Sequence, residues 1–196
     1  VCIPMTTILA LREGTNICMC ADGAINNERD MRHSLFGVQK VQQIGEYLIG
    51  SAGCALLTNK VLDFLVKGDW LKEEEIPLER RLCLADGVTN LVRLRQDALV
   101  LIWGKKNGYC LYTQVLENPE NKALIPTTFC NTMCDDVAAI GVGATPALAA
   151  YKALKKHAPH LSSRELLEAC VECTGDVTML THSKPYFYQL KEDQQQ

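Results

Sequence analysis

The sequence predicts an α+β fold, a four-layer α-β-β-α sandwich of two mainly antiparallel sheets. Three observations carry that prediction. Strand-like and helix-like patterns come in blocks (strands, two helices, strands, two helices, strands), without the βαβ alternation that builds a doubly wound parallel sheet. The chain opens on a hairpin, Thr6 to Leu11 and Ile17 to Gly23, joined by a polar turn containing Gly14. Hydrophobic residues make up 47% of the 196, enough to bury two sheets against each other with a helix pair covering each outer face.

Within the hairpin, strand alternation puts Cys18, Cys20 and Asp22 on one face and Ile17, Met19 and Ala21 on the other. Residues 24–37 are polar and turn-rich, a loop of the kind that carries binding residues on a rigid sheet. Residues 38–44 and 46–52 read as short strands around a turn at Gly45-Glu46. Leu57, Val61, Phe64 and Leu65 recur at helical spacing between Cys54 and Lys67. A charged connection at 69–77 leads to a second helix, Leu78 to Arg95, with Leu84, Val88, Leu91 and Val92 on one face. Ala98 to Trp103 is a continuous apolar run, hence a buried strand. Lys106-Asn107-Gly108 turns it into Tyr109 to Thr113, the Asn-Gly pair tolerating positive φ.

Residues 117–135 hold Pro119, Pro126, Cys130 and Cys134 and are expected to be long and irregular. Val137 to Ile140 is a strand, and Gly141-Val142-Gly143 turns it into a helix from Thr145 to His157 with Pro146 in its first turn. Ser162 and Glu165 form a capping-box pattern for a last helix, 163–173. Strands at 177–181 and 185–190 close the sheets. The domain is therefore expected at 6–190, after a short leader, 1–5, and before a polar tail, 191–196.

Composition narrows the function classes. A net charge of -3 gives no electrostatic case for a nucleic-acid partner. No apolar run approaches the roughly 18 residues a membrane helix needs, and Val1 to Met5 lack the basic and apolar regions of a signal peptide. Ten cysteines are many for this length, and most fall inside strands and helices rather than loops. That suits small buried hydrophobes in a reducing compartment, so a cytoplasmic protein is expected. The pairs Cys18/Cys20 and Cys130/Cys134 lack the tight, matched spacing of a zinc site.

The chemistry concentrates near residue 6. A threonine opens a strand, a carboxylate ends its hairpin partner at Asp22, and Lys40 follows in another strand-like run, Val38 to Val41. A carboxylate at the end of a buried strand needs a partner. A threonine hydroxyl is a weak nucleophile that needs an adjacent base, and at a chain's amino terminus its own α-amine, with a pKa of about 7.7–8.0, can serve. A lysine ammonium nearby would lower that pKa further. Gly50, in Gly50-Ser51-Ala52-Gly53, allows a substrate to approach a main-chain N–H. Each residue has a plainer reading as well: Thr6 a β-branched strand residue, Asp22-Gly23 a turn, Lys40 a surface lysine, Gly50 part of a strand-to-helix turn.

The ordered set Thr6-Thr7-Ile8, Ala21-Asp22-Gly23, Val38 to Val41, Ile49 to Gly53, Ala139 to Gly143 and Thr174-Gly175-Asp176 resembles the proteasome β-subunit family, and in particular its HslV-type threonine peptidases. The resemblance implies the amino-terminal-nucleophile hydrolase sandwich. It also implies Thr6 as nucleophile and base after residues 1–5 are removed, Asp22 and Lys40 as the supporting pair, and Gly50 as the oxyanion donor. By the same resemblance a sodium or similar ion sits on the main-chain carbonyls of Gly175, Thr178 and Thr181, with no other cofactor required. The assembly implied is a homo-oligomeric ring or stacked rings, hexameric or heptameric, served by an ATPase unfoldase and degrading unfolded polypeptides.

The match departs from the family at three positions. Val142 stands where the family has the serine that assists the threonine amine, Glu172 is the nearest counterpart of an aspartate, and Asn26 replaces a substrate-binding threonine. A catalytically silent ring subunit is the rival reading. A third is an amidohydrolase using Cys2, which spoils the spacing to Asp22.

Overall fold

Hydrophobic alternation in the strands dictates two sheets with one shared apolar layer, and a computed structural model shows them stacked face to face. It describes residues 6–23, 25–27, 32–34, 40–67, 92–177 and 184–191. The first sheet has four antiparallel strands in the order β10-β1-β2-β11: Val137–Gly141, Thr7–Glu13, Asn16–Asp22 and Pro185–Gln189. The second has five, β5 to β9 in chain order: Val41–Ile44, Tyr47–Gly53, Val92–Gly104, Gly108–Glu117 and Leu124–Met133. Between them in the chain, β3 (Ile25–Asn27) and β4 (Arg32–Ser34) form a separate two-stranded ladder.

The shared layer is built from Ile8, Ala10, Ile17, Met19 and Ile140 of the first sheet and Val41, Leu48, Ala52, Leu101 and Trp103 of the second. Burying each large side chain here contributes about 1.5–3 kcal/mol, which is why the pairing of the two sheets is strongly specified. Helices cover the outer faces. On the first sheet, α2 (Ala144–His157) and α3 (Ser163–Val177) lie over Leu9, Leu11, Cys18 and Cys20. On the second, α1 (Ala55–Lys67) sets Val61 and Leu65 against Ile49, Val100, Ile102 and Leu111. The predicted α-β-β-α layering is the observed one. The predicted split of the hairpin is observed for its apolar residues, with Cys18 and Cys20 toward the helices and Ile17, Met19 and Ala21 toward the second sheet. Asp22, expected on the cysteine face, instead bonds Lys40 of the second sheet at the strand's end.

Several boundaries differ from the sequence reading. Residues 117–135 are not irregular: β9 runs through Pro126 because it is the edge strand, where a missing N–H costs no ladder bond. The turn-rich 24–37 stretch contains the β3–β4 ladder. The helix expected to end at Arg95 does not extend that far, since Val92 to Arg95 belong to β7; residues 78–91 lie outside the described set. The last helix continues past residue 173 to Val177, so no strand begins at Val177, and residues 178–181 are outside the described set. The Lys106-Asn107-Gly108 hairpin is present, but neither Asn107 nor Gly108 takes a positive φ. Trp103 pairs with Gly108, and the reversal is spread over four residues, closed by Gly104 N–H donating to Asn107 O.

The Ser162–Glu165 capping box forms as read. Glu165 Oε2 accepts from Ser162 N at 2.9 Å and from Ser162 Oγ at 2.7 Å. No described helix is long and apolar enough to cross a membrane.

Candidate active site

Thr6 sits immediately before β1 and is 7% exposed; Thr7, the first residue of β1, is fully buried. β1 is held between β2 and β10, so Ile8 faces Ala21 on one side while Thr7 faces Gly141 on the other. The end of β2 thereby reaches the start of β1: Thr7 N–H donates to Asp22 Oδ1 at 2.6 Å. The same oxygen accepts from Lys40 Nζ at 3.0 Å.

Lys40 comes from the other sheet. It is the residue before β5, and its carbonyl accepts Ser51 N–H at 3.0 Å, which fixes its backbone beside β6. Asp22 is 1% exposed and Lys40 8%. Burial pulls the Lys40 ammonium below the ordinary lysine range, and the Asp22 carboxylate counters that. An ion pair this dry persists only because each member has a partner.

Gly50 pairs with Val41 and faces the first sheet. A Cβ at this position would lie 2.9 Å from Ile8 Cγ2 and 3.3 Å from Met19 Sδ, so the glycine lets β6 close onto the start of β1. The fold therefore brings Thr6, Asp22, Lys40 and Gly50 to one end of the seam between the sheets.

The other predicted positions fall less evenly. Val142 is half-buried between Gly141 and Gly143 at the turn from β10 to α2. Glu172 is exposed on α3, and Asn26 lies in β3 opposite His33. Gly175 is inside α3 rather than after it, a correction that follows from the longer helix. Thr178, Thr181 and Cys2 lie outside the described residues. Among the described residues, no cluster of His, Cys, Asp or Glu side chains is placed to hold a metal ion.

Sequence reasoning passed over two residues here. Thr7 Oγ1 lies 3.1 Å from Thr174 Oγ1, both fully buried, and Thr174 Oγ1 donates to Val171 O at 2.7 Å. The doubled Thr6-Thr7 was the available signal. Thr174 stood in the Thr174-Gly175-Asp176 piece of the resemblance, but nothing in the sequence linked its hydroxyl to Thr7.

No protein-family model matches the chain. It is similar along most of its length to curated proteins named ATP-dependent protease subunit HslV. The one from Brevibacillus brevis is 28% identical over 185 residues, covering 91% of this chain and 92% of the relative. The one from Pediococcus pentosaceus is 27% identical over 194 residues, covering 96% of each. Among solved structures, the eukaryotic HslV of Trypanosoma brucei superposes with a TM-score of 0.66 at 16% identity, over 95% of this chain and 99% of that one. Thiobacillus denitrificans BPH, solved in complex with epoxomicin, superposes with a TM-score of 0.60 at 16% identity, over 95% of this chain and 100% of that one.

Proposed function

The chain is of the proteasome β type, HslV-like, and from that premise we propose that it is a threonine endopeptidase whose nucleophile is Thr6. The supporting observation is the buried Asp22 oxygen shared by Thr7 N–H and Lys40 Nζ, which ties a lysine of one sheet to the residue after Thr6 in the other. In this reading, Thr6 Oγ first attacks the Met5 carbonyl, and the peptide C–N bond breaks as an ester forms and the α-amine is freed. Water then cleaves the ester, releasing residues 1–5 and restoring the hydroxyl. The amine then takes the Thr6 hydroxyl proton as Oγ attacks a substrate carbonyl, and passes it to the leaving amine; water cleaves the acyl-threonine ester. Lys40, kept charged by Asp22, lowers the amine's proton affinity by like-charge repulsion. The Gly50 N–H meets the developing oxyanion, a contact of a kind worth about 10²–10³ in rate.

The same reading places the subunit in a homo-oligomeric ring in the cytoplasm. An ATPase feeds it unfolded chains, and in support its relatives are named ATP-dependent protease subunits. A monovalent cation at the carbonyls of Gly175, Thr178 and Thr181 would brace the end of α3, and no step of the hydrolysis runs through it. Val142 favours one rival, a silent ring subunit, because it puts a hydrocarbon side chain between the two glycines of the turn.

Intact mass and peptide hydrolysis decide between them. Loss of Val1 to Met5, with Thr6→Ala retaining them and cutting no peptide, is the expected result. Lys40→Ala should lower kcat by about 10² or more with the fold kept. Peptide hydrolysis by Thr6→Ala at the wild-type rate would end the proposal, and a leader retained by an inert wild-type chain would establish the silent subunit.

A further inference from the structure

We propose that Thr7 is a positioning residue for Thr6, and that it acts through a buried hydroxyl pair with Thr174 of α3. The inference rests on Thr6 as nucleophile and adds to it the means by which the nucleophile is aimed.

The peptide unit joining residues 6 and 7 is held at both ends. Its N–H, from Thr7, is on Asp22 Oδ1 at 2.6 Å. Its carbonyl, from Thr6, lies against Gly141, which has a φ of 92° and where a Cβ would overlap the Thr6 oxygen. The Thr7 side chain adds a third hold. Thr174 spends its hydroxyl proton on Val171 O, so in the 3.1 Å pair Thr7 is the donor and Thr174 the acceptor. Gly143 makes this possible, since a Cβ there would overlap Thr7 Oγ1. The two glycines flanking Val142 thus serve adjacent residues: Gly141 admits the Thr6 carbonyl and Gly143 admits the Thr7 hydroxyl.

With the peptide plane fixed, Thr6 keeps only its own ψ and χ1 to place its amine and hydroxyl against Lys40. Loss of the Thr7–Thr174 bond frees the plane to tilt about the Asp22 contact. An error of about 1 Å in such a placement costs up to about 10²-fold in rate. A valine at residue 7 keeps the β-branched shape and leaves the Thr174 proton on Val171 O, so the substitution removes the bond without orphaning a buried donor.

The test measures inactivation of the assembled, wild-type-processed chain by a peptide epoxyketone, which closes onto residue 6 through both its hydroxyl and its amine. Thr7→Val and Thr174→Val are each expected to lower the maximal inactivation rate at least about tenfold while the half-saturating probe concentration stays within about twofold. Thr7→Ser should restore the rate, and the double valine variant should be no worse than either single one, because both break one bond. Should Thr7→Val fail to fold, Thr174→Val reads the same bond from the helix side.

A wild-type rate in either valine variant, or a loss confined to probe affinity, overturns the positioning role and leaves Thr6 untouched. Inactivation of Thr6→Ala, or an inert wild-type chain, instead overturns the nucleophile on which the inference stands.

Discussion

Thr6, Asp22, Lys40 and Gly50 are spread over two sheets, and what lets them meet is as much missing volume as present chemistry. Gly50 is the clearest case. A Cβ there would lie 2.9 Å from Ile8 Cγ2 and 3.1 Å from Ile8 Cδ1, and both Gly50 and Ile8 are buried. Gly50→Ala should therefore push β6 away from the start of β1, destabilise the chain by about 1–3 kcal/mol, and lower activity further than stability alone explains. Urea unfolding checks the first part. A double-mutant cycle with Ile8→Ala checks the cause: if the clash is with Ile8, the combined cost falls below the sum of the singles. Strict additivity would mean that Gly50 matters for some other reason.

Between elements, β2 and α3 pack through sulfur. Cys18 and Cys20 on the strand and Cys170 on the helix lie in one apolar layer, all fully buried. Burial, as the main cause, raises the Cys18 thiol to about 11, with the Glu13 carboxylate adding to it. Burial likewise raises Cys170 to about 12, and Cys20 is pushed up further still. These thiols stay neutral in the fold, whereas in the unfolded chain they ionise near the ordinary value of about 8.5. Their contribution is complete below that pH and is lost as pH rises toward the folded values. Each thiol removes at most about 1.4 kcal/mol per pH unit. Unfolding midpoints should fall between about pH 8 and about pH 10, and Cys20→Ala or Cys170→Ala should flatten the fall. An unchanged slope in both variants would place the alkaline sensitivity elsewhere.

The same layer shows what a sequence can and cannot reveal. Cys18, Leu9 and Leu11 alternate cleanly, so the hairpin and its two faces were legible. Asp22 was legible from the hairpin, but its pairing with Lys40 crosses between sheets, and only the family resemblance implied it. β9 was hidden by Pro126 and a run of threonines, since no local signal announces that a strand is an edge. The end of α3 was hidden because Thr174-Gly175-Asp176 has the composition of a stop. Tertiary packing overrides it, with Thr174 turned back onto Val171 O and its hydroxyl met by Thr7.

At the scale of the whole molecule, no one layer carries the site. Thr6, Thr7 and Asp22 come from the first sheet, Lys40 and Gly50 from the second, and Thr174 from the helix layer outside the first. The reacting geometry exists only while the sheets are stacked, and that stacking is the same apolar layer that encloses Trp103 at 0% exposure under the Arg12 guanidinium, 5.0 Å above its ring. Loss of epoxyketone labelling and loss of the buried Trp103 emission, followed in a Trp70→Phe variant, should share one urea midpoint, because separating the sheets removes both at once. A site carried by the β1–β2 hairpin alone would keep reacting after the tryptophan signal had changed. Labelling that fell first, at a midpoint that moved with protein concentration, would mean that a neighbouring subunit completes the site. Within one subunit, the contacts from Asp22 to Lys40 and from Thr7 to Thr174 already span three of the four layers, so a single shared transition is the expected result.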